Sequence, residues 1–276
     1  MSAPNLTPLV LLIILATLPS TAPAQKKSAA DDVRDAFLVT RVKATADKQD
    51  KPAKANPATG RKLIVKTNSS IGLGYTVYQR DASGNPVRAS QSREFHQGDA
   101  VRLVVESNID GYLYVFHTEN DGQSQMIFPD ARLNEGRNNI AAHVPYEVPS
   151  SREANPNLRW FIFDEKPATE RLYLVVTKRP LPGVPIGNEL VAYCRTNAGA
   201  CPWRPAEAAW TQLAANVNSV REEKSGEFGQ MQTAVERDAV ERGLGLGLDA
   251  PAPSVIRMSK SPQAKQLVTM VALIHK

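Results

Sequence analysis

Apolar positions between residues 95 and 129 fall into three runs rich in β-branched and aromatic side chains, separated by short polar breaks. Gly98-Asp99, Asn108-Ile109-Asp110-Gly111 and Glu119-Asn120-Asp121-Gly122 mark the breaks. Asp and Asn close local side-chain bonds at such positions and Gly takes positive φ, so the stretch reads as strands joined by turns. Gly98, Asp99, Asp110 and Gly111 are the expected turn residues, with Gly111 at positive φ in a hairpin.

The same pattern continues on both sides. Strands are expected at 63–66, 75–80, 101–106, 112–117, 125–128, 139–144, 159–163 and 171–177. Tyr112, Tyr114 and Phe116 share one face of their strand, with Leu113 and Val115 on the other. Apolar residues on both faces predict a central strand covered on both sides. Many short strands at regular spacing predict a mainly β fold, an immunoglobulin-like antiparallel β-sandwich spanning 62–276. From Pro180 the period changes. A Pro/Gly passage precedes Pro205, which opens a helix carrying Ala206, Ala209, Trp210, Leu213, Val217 and Val220 at helical spacing. A weaker stripe of Phe228, Met231, Val235 and Ala239 ends at Gly243. The apolar segment 266–275 reads as a terminal strand returning to the sandwich, which makes 182–261 a helical insertion before the last strand.

The chain's beginning changes the picture of where this sandwich resides. Residues 9–18 are an apolar run too short to span a bilayer, followed by the cleavage pattern Ala22-Pro23-Ala24. Residues 1–24 are therefore expected to be an export signal, and the mature protein periplasmic or secreted without a membrane span. Residues 25–61 read as a basic flexible linker, with a short apolar leader at Val33, Phe37, Leu38 and Val42. Charge supports that division. The formal charge of +5 arises from 11 Lys and Arg against 5 Asp in residues 25–66, which leaves 22 against 23 in the rest. The folded part is balanced, and no nucleic-acid partner is expected. The tail alone has the charge to contact anionic polymer, though a solubilising role suffices for it.

Candidate chemistry is sparse. Cys194 and Cys201 flank a Gly-containing loop and, in an oxidising compartment, read as a disulfide that closes the insertion. The Gly243–Gly247 run lacks the ending of a phosphate loop, and neither a Gly-x-Ser-x-Gly elbow nor a His-Glu-x-x-His pair is present. His96, His117, His143 and His275 are scattered, so no metal site and no cofactor are expected. Asn120-Asp121-Gly122 lacks calcium-loop spacing and reads as a turn. Among the aromatics, Tyr112 and Tyr114 read as packing residues and Trp210 as a helix-face anchor, although Tyr112, Tyr114, Trp160 and Trp203 are all of a type that stacks on sugars. Trp203 and Arg204, in a Pro-flanked loop tethered by the expected disulfide, are the candidate binding residues, since Trp and Arg often anchor interfaces. The bland alternative is that Trp203 caps a small core of the insertion.

Several of these residues together carry a resemblance. Phe95-x-x-Gly98-Asp99, Val101-Arg102-Leu103, Asn108-x-Asp110-Gly111-Tyr112-Leu113-Tyr114-Val115, Ile127-Phe128-Pro129, Tyr146-x-Val148-Pro149 and Phe161-x-Phe163-Asp164 resemble the bacterial domain of unknown function 4384. The resemblance covers about 63–179 with the final strand, and residues 34–38 resemble a leader that precedes such domains. It implies an accessory module of exported proteins, found beside kinase or caspase-like domains that this chain lacks. The expected function is a non-catalytic binding or scaffolding module of the cell envelope that engages a protein. A glycan- or small-ligand-binding protein is the main alternative, and an envelope hydrolase the third reading.

Overall fold

A computed structural model describes residues 29–41, 70–197, 201–217, 220–224 and 227–276. The expected export signal at 1–24, the linker from 42 to 61 and the strand at 63–66 lie outside the described residues. In chain order the elements are α1 (Ala29–Leu38), β1 (Gly72–Arg80), β2 (Pro86–Ala89), β3 (Glu94–Phe95), β4 (Ala100–Ser107), β5 (Gly111–Glu119), β6 (Gln125–Phe128) and β7 (Asn139–Ile140). They continue with β8 (Tyr146–Val148), β9 (Phe161–Ile162), β10 (Ala168–Thr177), α2 (Asn188–Thr196), α3 (Glu207–Ala214), β11 (Val220–Lys224), α4 (Ala234–Arg242), β12 (Val255–Ser259) and β13 (Gln266–His275).

The strands form two sheets packed face to face, a β-sandwich. One runs β11-β12-β1-β4-β8, with β2 on β1 and β9 on β4; the other runs β3-β13-β10-β5-β6, with β7 on β5. Alternation along the central strands builds the core between them. Leu73, Tyr75 and Val77 of β1 and Val101, Leu103 and Val105 of β4 meet Leu113, Val115, Leu172, Leu174, Val176 and Val271 from the second sheet. Pairing is antiparallel except for a short parallel contact of β3 with β13, which departs from the expected all-antiparallel arrangement.

The outer faces differ in chemistry. The second sheet turns Tyr114, Phe116, Val175 and Val268 outward, under Leu190 of α2 and Trp210 and Leu213 of α3. The two-sided burial expected for β5 is met in this way. The first sheet turns polar side chains outward, and three ion pairs are buried there: Arg41–Glu106, Arg88–Glu236 and Arg102–Glu147. Val33 and Phe37 of α1 pack on Ile256 and Met258 of β12, so the leader is a docked helix.

The segment 182–261 is not purely helical. It supplies β11 and β12 to the first sheet, with β12 between β11 and β1. The Val220–Lys224 run (VREEK) continues a helical stripe in sequence, yet pairs with β12 in the structure. Helix α2 begins after Gly187 with no side-chain cap, which hides it behind the Pro/Gly passage. The expected strand at 139–144 stops at Ile140, because His143 takes φ 60° and turns the chain.

The turn residues also divide. Gly98 has φ 85°. Asp99 carboxylate oxygens accept from Gln79 Nε2 at 2.9 Å and from the His96 amide at 3.1 Å. Gly111 does not have the positive φ expected of it. It is constrained by a neighbour instead, since a Cβ there would sit 2.3 Å from the Thr177 carbonyl oxygen. Asp110 Oδ1 accepts from the Ala142 amide at 2.8 Å and ties the turn to the chain after β7.

Candidate functional site

Beside β6 and β8 lies a cleft of about 440 Å³, predominantly apolar in its lining. Three stretches of chain build it: 126–133, 147–161 and the disulfide region around Cys194 and Cys201. Cys194 and Cys201 are bonded, with Cα atoms 5.5 Å apart. The loop is then fixed to the sheet edge, because Met126 N donates to the Trp203 carbonyl at 2.8 Å. Trp203 thereby becomes one wall of the cleft. The cis bonds Phe128–Pro129, Val148–Pro149 and Cys201–Pro202 all lie at this cleft.

Leu158, Trp160 and Phe161 also line the cleft. A chain of interactions holds this stretch. Arg102 stacks its guanidinium 4.1 Å from the Trp160 ring centroid and donates through Nη2 to the Arg159 carbonyl at 2.8 Å. Arg159 Nε donates to the Glu153 carbonyl at 2.7 Å. Burial pushes the Arg102 guanidinium below its ordinary range, and Glu147 only partly offsets that. A cation over an aromatic face in such a desolvated place orients the indole as well as neutralising Glu147.

The polar part of the cleft is small. Asp130 Oδ1 and Oδ2 accept from Arg132 Nε at 3.0 and 3.1 Å, and Arg132 Nη2 donates to Oδ2 at 2.5 Å. Those bonds hold the Arg132 guanidinium above its ordinary pKa. Glu153 Oε1 accepts from the Asn155 amide at 3.3 Å. Its Oε2 is buried with no hydrogen-bond partner among the described residues.

The structure gathers some expected site residues here and leaves others elsewhere. Trp203, Cys194 and Cys201 line the cleft together, and so does Trp160. Trp203 is partly buried and packs against the Tyr114–Phe116 cluster, so it is less exposed than expected. Arg204 is outside the cleft and donates to Gln123 Oε1 at 3.0 Å. Gly98, Asp99, Asp110 and Gly111 do not line it. Asp130, Arg132, Glu153 and Leu158 escaped the sequence reading, because they sit in loops or, for Leu158, in a single 3-10 turn (Pro156–Leu158), too short to show a period.

A second arrangement was also invisible in sequence. Thr40 Oγ1 lies 2.6 Å from His143 Nε2, and His143 Nδ1 lies 2.6 Å from Glu106 Oε1. Hydroxyl, imidazole and carboxylate follow one another as in a nucleophile relay. Here, however, Glu106 is bound bidentately by Arg41, Nε to Oε1 at 2.9 Å and Nη2 to Oε2 at 2.6 Å. Thr40 Oγ1 also donates to the Phe37 carbonyl at 3.1 Å. Arg41 reaches the Ala250 carbonyl at 2.9 Å. This network fastens the end of α1 to β4 and to the loop before β12.

Of the remaining histidines, His117 pairs with Glu170 at 2.5 Å and His275 packs against Phe163. Among the described residues, no group of three or more His, Cys, Asp or Glu is placed to hold a metal ion. No helix among them is long and apolar enough to cross a membrane.

Fold and cleft together define a two-sheet β-sandwich module with a pocket beside the edge strands β6 and β8, walled in part by a disulfide-held loop. Residues 94–180 match the model of a family described as "Domain of unknown function (DUF4384)". The match runs from β3 to just past β10. It includes the 126–133 and 147–161 walls of the cleft but not the disulfide loop, and it is narrower than the span of the resemblance seen in sequence. No curated protein and no solved structure matches the chain.

Proposed function

We propose that this chain is an exported, non-catalytic binding module of the bacterial cell envelope, and that it engages a protein partner through the cleft between Trp203 and Leu158. The observation that carries the reading is the construction of the cleft: Met126 and the Cys194–Cys201 bridge hold Trp203, and the Arg102 stack holds Trp160. Concave, mostly apolar sites with a few placed polar groups are where proteins take ligands. A disulfide is stable outside the cytoplasm and agrees with an export signal at 1–24.

Sugar binding is the rival reading, supported by two tryptophans at one cleft. Arg102 already covers a face of Trp160, which leaves Trp203 to stack. The hydrolase reading has the Thr40–His143–Glu106 relay in its favour and the bidentate Arg41 against it. Selection of peptides from a random library, in parallel with a panel of cell-wall oligosaccharides, distinguishes the first two. Peptides whose binding is lost in Trp203→Ala support the proposal. Binding of oligosaccharides alone, or hydrolysis of any member of either panel, contradicts it.

A further inference from the structure

The cleft combines an apolar wall with one buried carboxylate oxygen that the protein leaves unbonded. Glu153 is 8% exposed, and its Oε2 has no hydrogen-bond partner among the described residues. Arg132 Nη2 is 3.9 Å away, within ion-pair range but beyond hydrogen-bond reach, and that guanidinium is already committed to Asp130. Glu147, the other glutamate at the cleft, is paired with Arg102 and accepts from the Ser151 amide at 3.0 Å. Asp130 and Arg132 are bonded to one another, and Glu153 Oε2 is the buried carboxylate oxygen at the cleft left without a hydrogen bond among the described residues. A buried acceptor left unbonded is costly, and nearly all such groups in proteins find a partner.

We propose that the cleft accepts a basic side chain of the partner, with its alkyl stem along Leu158 and Phe128 and its cationic head on Glu153 Oε2. This rests on the reading of the cleft as a binding site and names the chemistry it selects. A charge-assisted hydrogen bond from an ammonium or guanidinium satisfies Oε2, whereas an anionic group cannot donate to it. The methylenes of Lys and Arg suit an apolar wall while the head remains polar. Electrostatic match of this kind sets selectivity between ligands of equal size.

Hexylammonium, hexanol and hexanoate, titrated into the full mature chain and followed by the indole N–H signals of Trp160 and Trp203, test this without any variant. The expected result is ammonium binding at least about tenfold tighter than the alcohol, with hexanoate weakest, as one charge-assisted bond implies. In Glu153→Gln the preference for ammonium over alcohol disappears. In Arg132→Gln, at an exposed position, the preference rises. Equal binding of ammonium and alcohol to the wild type overturns the inference and leaves the cleft as an apolar site. Tightest binding of hexanoate overturns it in favour of Arg132. Failure of all three probes to move either indole signal removes the cleft reading as well.

Discussion

The carbonyl oxygen of Trp203 accepts a hydrogen bond from Met126 N at 2.8 Å, across 77 positions of sequence. This bond makes the disulfide loop an extension of the β6 edge and sets the Trp203 indole over the cleft. Removing the indole should open the cleft without detaching the loop, because the Met126 bond and the disulfide both remain. Trp203→Ala is expected to lose peptide binding and about 1–3 kcal/mol of stability, less than a fully buried Trp would cost. Thermal melts and the peptide titration read the two effects separately.

The bridge should act on the cleft and not on the sandwich. Cys194 and Cys201 are seven positions apart, and a loop that short gives about 2–3 kcal/mol in the chain-entropy model. Replacing both by Ser should lower the melting temperature modestly. Hydrogen exchange should show new opening in α2 and around Trp203, with β4, β5 and β10 still protected. Loss of protection in those central strands would make the bridge a support of the whole fold.

Two glycines predict different kinds of damage. Gly111→Ala drives a Cβ into the Thr177 carbonyl, a backbone atom that cannot rotate away, and is expected to cost several kcal/mol. Gly98→Ala meets open space but must hold φ 85°, which costs about 1–2 kcal/mol. Denaturant unfolding of both variants should rank Gly111→Ala as the more damaging.

Arg41 and Glu106 have 1% and 3% side-chain exposure, and each loses its partner of opposite charge if the other is truncated, although Glu106 keeps His143 and Arg41 keeps the Ala250 carbonyl. Breaking a buried pair from one side leaves a stranded charge, at about 3–5 kcal/mol. Arg41→Ala should release α1 from β12, seen as protease cleavage near residue 41 while residues 70–276 remain folded. Unchanged resistance would show that Val33 and Phe37 hold the helix alone.

Acid stability should depend on Glu236. Burial raises its carboxyl, but the Thr233 amide, Arg88, the Thr233 hydroxyl and the Tyr78 hydroxyl outweigh burial, and the net effect is a lowered pKa. A depressed folded pKa means that the contribution is complete above the unfolded value, about 4.3, and is lost as pH falls through the folded value. Glu236→Gln should therefore be less stable at neutral pH and show a shallower loss of stability below about pH 4.3. An acid limb as steep as that of the wild type would place the titrating group elsewhere.

What was legible in the sequence follows from period. β4, β5, β10 and β13 alternate cleanly or carry apolar residues on both faces, and they were found within a few residues. β11 and β12 were missed because VREEK continues a helical stripe and VIRMS sits in a Pro-rich passage, so only tertiary pairing reveals them. Helix α4 starts later than the apolar stripe from Phe228 suggests. Its start is written in Thr233 and Glu236, which form a capping box whose Thr-x-x-Glu spacing is readable in retrospect. The Cys194–Cys201 disulfide was legible because two cysteines flanking a short Gly-containing loop read as a pair once export is expected. Glu153, Arg132 and the Arg41–Glu106–His143 network were not, since their partners are far apart in the chain.

The structure of the protein bound to a peptide selected against it shows most directly whether the cleft beside Trp203 holds the partner. The peptide is expected between Trp203 and Leu158, with a basic side chain directed at Glu153. A peptide bound on another surface, with the cleft empty, would rule the cleft out as the binding site.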